Sequence, residues 1–280
     1  MNERVDPTDR EHGRLSYRAL FSALWSLRGP VRGERAPAER AVPYRPGARR
    51  GIAPVLDVYR PDRPDGRSVV LVHGGGFFVG ARDMKPMRVL GARLTELGLT
   101  VASLDYRMIF RGGRLEEALD DVRTALDFWR RGAASRDLDP GRISMIGLSA
   151  GGTLTMLAAG APDAGLHRVV SCFGLYELDH LTGPLATLMP RLLFRSWDRA
   201  RWAERSPRMA PQPAAPTLLL HGTADGLVPV EQARRLAAHR EALGLPTTLS
   251  IYEGAPHGFF NDQGEHAARA VRDIASHLEG

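Results

Sequence analysis

Two rhythms of apolar and polar positions run along most of the chain. From Ile52 onward, short runs rich in valine, isoleucine and leucine alternate with longer stretches of helical period. The short runs predict strands near residues 55–60, 68–73, 100–104, 142–147, 168–173, 216–221 and 247–252. The longer stretches predict helices near 85–97, 115–131, 150–160, 230–243 and 265–278. Strands alternating with helices imply an α/β fold, a parallel sheet covered on both faces. Upstream, Tyr17, Leu20, Phe21, Leu24 and Trp25 share one face of an expected helix over 16–28, which Gly29-Pro30 would stop. Residues 1–14 are charged and show no rhythm. Residues 29–50 are rich in Pro, Gly and Arg and predict loop with a short strand near Ala41-Val42; Pro43 and Pro46 suit only a sheet edge.

Residues 177–210 break the alternation. They separate two strands by more than a crossover needs, and they carry Leu181, Leu185, Leu188, Met189, Leu192, Leu193, Phe194, Trp197 and Trp202. An insertion this apolar predicts a small cap over a pocket, with an extra core helix as the alternative.

Composition narrows the picture. A chain of 280 residues with 43% hydrophobic content can form one large α/β domain. The net charge of +6 raises the question of nucleic acid. Its arginines are scattered among acids, and Lys85 is the single lysine, whereas nucleic-acid binders gather positive charge on one face. No nucleic-acid partner is expected. The single cysteine, Cys172, allows no intrachain disulfide and sits in an apolar run, where it acts as a small core residue. No apolar stretch reaches the roughly 18 residues of a membrane span. The first 14 residues hold no apolar signal-peptide core. A cytoplasmic protein without stable membrane insertion is expected.

Chemistry enters at Gly147-Leu148-Ser149-Ala150-Gly151, between an apolar run and a small-residue helical run. A strand that turns sharply into a helix exposes its turn serine above the sheet edge, with a helix N-terminus beneath it. Three further segments follow predicted strands. They are His73-Gly74-Gly75-Gly76-Phe77, His221-Gly222-Thr223-Ala224-Asp225 and Gly254-Ala255-Pro256-His257-Gly258-Phe259. Strand ends are where open α/β sheets place ligand sites. The order Ser149, Asp225, His257 is that of the α/β-hydrolases. A serine needs a base to take its proton as it attacks; His257 fits that task, and Asp225 would hold its tautomer. The glycines at 74–76 can turn backbone amides toward a developing oxyanion, and the N–H of Ala150 offers another donor.

Rival readings are weaker. His73 reads as structural, His221 as hydrogen-bonded to backbone, and His12, His167, His180, His239, His266 and His277 as surface or interface residues. Asp105 precedes the serine and is expected to pair with Arg107 or cap a turn; Asp262 is a weaker rival to Asp225. Val79 stands where a dinucleotide-binding loop needs glycine. No metal-ligand spacing is present, so no cofactor and no metal are expected.

Taken together, several segments resemble the hormone-sensitive-lipase-like carboxylesterases of the α/β-hydrolase fold. They are Leu56 to Pro61, His73 to Phe77, Asp105 to Arg107, Gly147 to Gly152, His221 to Pro229 and Pro256 to Phe259. The resemblance runs from about residue 52 to the C-terminus. It implies an eight-stranded, mostly parallel sheet, with residues 51–280 as the hydrolase domain. It also implies a small helical cap built from residues 1–50 and the insertion at about 177–210. It implies hydrolysis of short- to medium-chain acyl esters through an acyl-enzyme. Ser149, Asp225 and His257 take the triad positions, and Gly75, Gly76 and Ala150 the oxyanion donors. Phe77, Phe78, Leu193 and Trp197 are the candidate acyl-pocket residues. Leu148, where the family often has Asp, and Met108 to Arg111, in place of Leu-Ala-Pro-Glu, suit a neighbouring group with feruloyl-esterase-like and arylformamidase-like members. The alternatives are an amidase or arylformamidase with the same triad and a lipid-surface lipase. The expected partner is a small-molecule ester, and a homodimer is one assembly open to the chain.

Overall fold

A computed structural model of the protein describes residues 29–45, 54–180 and 190–280. The expected helix over 16–28, residues 46–50 of the expected Pro-, Gly- and Arg-rich loop, and Leu181, Leu185, Leu188 and Met189 lie outside the described residues.

The strands are β1 (Glu39–Pro43), β2 (Val55–Tyr59), β3 (Ser68–Val72), β4 (Thr100–Leu104), β5 (Ile143–Leu148), β6 (Val169–Cys172), β7 (Thr217–Gly222) and β8 (Thr247–Tyr252). The main helices are α1 (Lys85–Glu96), α2 (Leu115–Arg131), α3 (Ala150–Ala159), α4 (Arg199–Glu204), α5 (Glu231–Ala242) and α6 (Glu265–Glu279). The strands form an eight-stranded sheet in the order β1-β2-β4-β3-β5-β6-β7-β8. The β1–β2 and β2–β4 pairs are antiparallel, and every other pair is parallel. This is the α/β fold with the mostly parallel sheet that the alternation and the resemblance implied. The edge strand β1 contains Val42 and ends on Pro43, and a bulge interrupts its register between Glu39 and Val42.

Central strands read as unbroken apolar runs because both their faces are covered. Val70, Val72, Ala102, Leu104 and Met145 join Leu119, Val122 and Leu126 of α2 and Leu154 of α3 in one core layer. Val69, Leu71, Val101, Ile146, Val170, Leu218 and Leu220 face the other layer, with Met87, Leu90 and Leu94 of α1 and Ala270, Ile274 and Leu278 of α6. Successive residues of one strand therefore serve opposite cores, as the two-residue period of a strand requires. Leu219, Met156, Ala233, Leu236 and Ala237 form a smaller cluster under α5. Cys172 is fully buried, and burial pushes its thiol pKa up, away from reactivity.

Part of the 177–210 insertion is core. Leu193 and Trp202 are buried in the same layer as α2 and α3. The segment's base is pinned by Glu177, a buried carboxylate that pairs with Arg208 and, at 3.1 Å, with Arg235.

Trp129 of α2 is buried against the sheet, and its indole N–H donates to Ser68 Oγ at 3.0 Å. Trp129→Ala should lower unfolding stability by about 3–5 kcal/mol, read as a fall in the urea midpoint. An unchanged midpoint would mean that this layer does not carry the sheet.

Candidate active site

The sharpest turn in the central sheet joins β5 to α3. Ser149 sits there with φ +53° and ψ −119°, a strained backbone for a residue with a side chain. Its N–H donates to Cys172 O at 2.9 Å, and its carbonyl accepts from Thr153 N at 3.1 Å. The flanking glycines are needed for space. A Cβ on Gly147 would overlap the Gly151 carbonyl oxygen and the Thr155 hydroxyl, and a Cβ on Gly151 would overlap the carbonyls of Val72 and His73. The helix can thus start directly against the end of β3.

Asp225 lies in the turn after β7. Its Oδ1 accepts the N–H groups of Leu227 at 2.9 Å and Val228 at 2.8 Å. Its Oδ2 lies 2.7 Å from His257 Nδ1 and 3.2 Å from His221 Nε2. His257 follows β8. Its Nε2 is 2.9 Å from Ser149 Oγ, and its ring meets the edge of Phe173 with centroids 4.9 Å apart. Because a carboxylate only accepts, Nδ1 carries the proton and Nε2 is left to accept from the serine hydroxyl. Burial, the largest influence on Asp225, pushes its pKa up; the two histidines outweigh it and hold the carboxyl well below the usual carboxylate range.

The glycine loop after β3 passes directly over the serine. A Cβ on Gly74 would stand 3.1 Å from that of Ser149. Gly75 has φ +116°, and its carbonyl accepts from both Phe78 N and Val79 N at 3.1 Å, closing the loop on itself. Among the described residues, the N–H groups of Gly75, Gly76 and Ala150 donate to no backbone carbonyl and no side chain.

A buried polar cluster supports that loop. Arg82 donates from Nε to Asp57 at 2.8 Å and from Nη1 to Asp105 at 2.5 Å, and its backbone N–H reaches Asp105 at 2.7 Å. His73 stacks on Tyr106 at 4.3 Å, and Tyr106 Oη donates to His73 O at 3.0 Å. Its Nδ1 is bonded to Gly74 O at 2.7 Å, and burial pushes its pKa down, so the ring acts as a neutral brace. The expected pairing of Asp105 with Arg107 is corrected. Arg107 turns to Asp121, at 2.8 Å from Nε, and Asp105 is taken by Arg82. The physical reason is proximity in three dimensions: the loop before α1 folds back across the ends of β2 and β4, which sequence spacing does not reveal.

The other expected residues separate. Phe77, at φ +66°, packs into the core, and its carbonyl accepts from Ile109 N at 2.8 Å. Phe78 is only partly buried and stands 5.4 Å from the exposed Phe110 ring, measured between centroids. Leu193 points into the core, whereas Trp197 is 61% exposed, with the Arg191 guanidinium 3.9 Å over its ring. Sequence reading missed the Asp57–Arg82–Asp105 cluster and the contact of His221 with Asp225. For the second a signal existed, since His221 and Asp225 lie four residues apart across one turn. Among the described residues no group of three or more His, Cys, Asp or Glu is placed to hold a metal ion, and no helix is long and apolar enough to cross a membrane.

The lowered pKa of Asp225 makes a prediction about acid. A carboxylate depressed in the folded state stabilises fully above its unfolded pKa of about 3.9, and that contribution is lost as pH falls toward the folded value. Between pH 5 and 3 (about the unfolded carboxyl range), the urea midpoint of the native protein should fall more steeply than that of Asp225→Asn. Parallel slopes would assign acid sensitivity to other groups.

Comparison with known proteins finds similar chains and structures. The BD-FAE family profile matches residues 56–177. Esterase LipC of Mycobacterium tuberculosis is 30% identical over 255 residues, which cover 81% of this chain and 62% of LipC. The chain thus spans less than two thirds of the length of this curated relative. Among solved structures, the butyrate-bound esterase 2 of Thermogutta terrifontis is 25% identical with a TM-score of 0.70, covering 86% of this chain and 94% of that one. The Pyrobaculum calidifontis esterase is 25% identical with a TM-score of 0.74, covering 93% and 90%. The chain has the α/β-hydrolase fold, and its residues 56–177 are similar to the feruloyl-esterase-like BD-FAE family.

Proposed function

We propose that the protein is a serine carboxylesterase that hydrolyses short- to medium-chain acyl esters of small molecules through an acyl-enzyme. The observation that carries the proposal is the imidazole of His257, 2.9 Å from Ser149 Oγ on one side and 2.7 Å from Asp225 on the other, beside the Gly75 and Gly76 amides, which have no partner among the described residues. The esterase names of LipC and of the two thermophile structures support the reaction class, and the butyrate in the Thermogutta enzyme supports a short acyl group.

In this reading Ser149 Oγ attacks the ester carbonyl carbon as its proton passes to His257 Nε2. Asp225 keeps Nδ1 protonated and stabilises the imidazolium. The carbonyl oxygen gains the negative charge, and the N–H groups of Gly75, Gly76 and Ala150 receive it; one such donor is worth about 2.7–4 kcal/mol. Collapse of the tetrahedral species breaks the C–O bond to the alcohol, which leaves with the proton from His257. Water then repeats the attack, with His257 as base, and releases the acid and the free serine. The α3 N-terminus beneath Ser149 adds a favourable field for the oxyanion. Phe78 and Phe110 offer an apolar surface beside the glycine loop.

Ser149→Ala should lower kcat on p-nitrophenyl butyrate by about 10⁴–10⁶-fold with the fold intact. Near-native turnover would remove Ser149 from the mechanism. A fluorophosphonate probe should label the native protein at Ser149, read by peptide mass spectrometry; labelling elsewhere would overturn the assignment. In the native protein kcat/KM should climb with pH along a one-proton limb, as a general base requires. A flat profile would require another base. Faster turnover of an aryl formamide than of any p-nitrophenyl ester would replace the ester reading with an amidase.

A further inference from the structure

Asp225 is gripped from behind as well as from the front. His221, in β7, is fully buried. Its Nε2 lies 2.9 Å from Val228 O, a carbonyl that can only accept, so this nitrogen carries the ring proton. The same nitrogen lies 3.2 Å from Asp225 Oδ2, the oxygen that meets His257. The other nitrogen, Nδ1, is buried and has no hydrogen-bond partner among the described residues. All the polar contacts of this ring therefore converge on the turn that holds Asp225. Within that turn the Asp225 carboxylate already binds the N–H of Val228, so His221 closes a loop: ring to carbonyl, carbonyl to its own residue's amide, amide to carboxylate, carboxylate back to ring.

We propose that His221 is a positioning residue of the catalytic triad, whose Nε2–H fixes Asp225 Oδ2 at the angle and charge with which it meets His257. This rests on the esterase reading above. A histidine that served only packing would not need to set its one N–H between the Val228 carbonyl and the triad carboxylate. The donor does two things. It stops the carboxylate from rotating about its Cβ–Cγ bond, which the two backbone amides on Oδ1 alone constrain at one end. It also draws negative charge from Oδ2, which tempers how strongly Asp225 favours the imidazolium of His257. Among the described residues, the polar side chains in contact with His257 are Ser149 and Asp225, and Phe173 covers its ring. A displaced pH limb therefore reports on Asp225.

The experiment compares His221→Leu, His221→Gln and His221→Asn with the native protein. The Gln side chain is long enough to place an amide N–H near the position of the imidazole Nε2–H; the Asn amide is too short to reach it. In His221→Leu, kcat should fall by roughly 10- to 100-fold with KM within about twofold, since the substrate site is untouched. The kcat/KM limb should move to higher pH, because Asp225 without its donor holds the proton on His257 more strongly. His221→Gln should recover most of kcat and the native limb; His221→Asn should not. Circular dichroism and thermal melting identify which variants fold, and if His221→Leu does not, the Gln and Asn pair decides on the same readouts.

A folded His221→Leu with native kcat and an unmoved limb overturns the proposal, as does equal loss in Gln and Asn with no shift. Proton NMR follows the His257 Nδ1–H resonance without substrate: it should move in Leu and Asn and return in Gln, and a resonance indifferent to all three also overturns it. Loss of the ester reading looks different. There the native protein would show no Ser149-dependent turnover at all, whereas turnover that needs Ser149 but ignores His221 removes only the positioning role.

Discussion

The approach of α3 to the ends of β3 and β5 is the constraint on which the site depends. It is possible only because Gly147 and Gly151 present hydrogen where any other residue would present carbon against a carbonyl oxygen. Bringing the helix this close forces Ser149 into a positive-φ conformation, a strain of about 1–3 kcal/mol that the surrounding sheet must hold. The bond from Ser149 N to Cys172 O ties the turn to β6, and the apolar layers on both sides of β5 keep the strand from relaxing. The same closeness lays the glycine loop across the serine, so the Ser149 hydroxyl and the amides of Gly75 and Gly76 share one scaffold.

Buried charge shapes the rest. Taking a carboxylate out of water is costly unless donors answer each of its oxygens. Asp57 and Asp105 are answered by Arg82 together with backbone N–H groups, including Ala41 N at 2.7 Å from Asp57. Both oxygens of Asp105 are thereby engaged, so it braces the loop beneath the site. Asp225 differs. One oxygen is saturated by two backbone amides, and the other is turned to imidazole N–H groups, an arrangement that keeps it ionised and aimed. Asp105 after β4 and Asp225 after β7 thus take different work from the donors that reach them.

Much of the architecture was legible because a strand covered on both faces must be apolar at nearly every position, and such runs stand out against helical period. The predicted strands and the observed ones agree to within a residue or two, from 55–60 against Val55–Tyr59 to 247–252 against Thr247–Tyr252. Pro43 marked β1 as an edge for the plain reason that proline cannot donate to a ladder. The insertion was harder. Its described helical pieces are short, so apolar residues show no period, and nothing in the spacing separates Leu193, which faces the core, from Trp197, which faces Arg191 and solvent. Asp105 was paired with the wrong arginine because charge partners are chosen by which loops meet.

By itself the sequence determined the period of each element, the places where only glycine fits, and the chemical types set at the strand ends, since these depend on local sterics and on side-chain identity. Only the tertiary structure decided the 2.7 and 2.9 Å contacts of His257, the second histidine behind Asp225, and the arginine that braces the glycine loop. Those contacts join residues up to 108 positions apart, and a distance of that kind exists only once the sheet has put strand ends side by side.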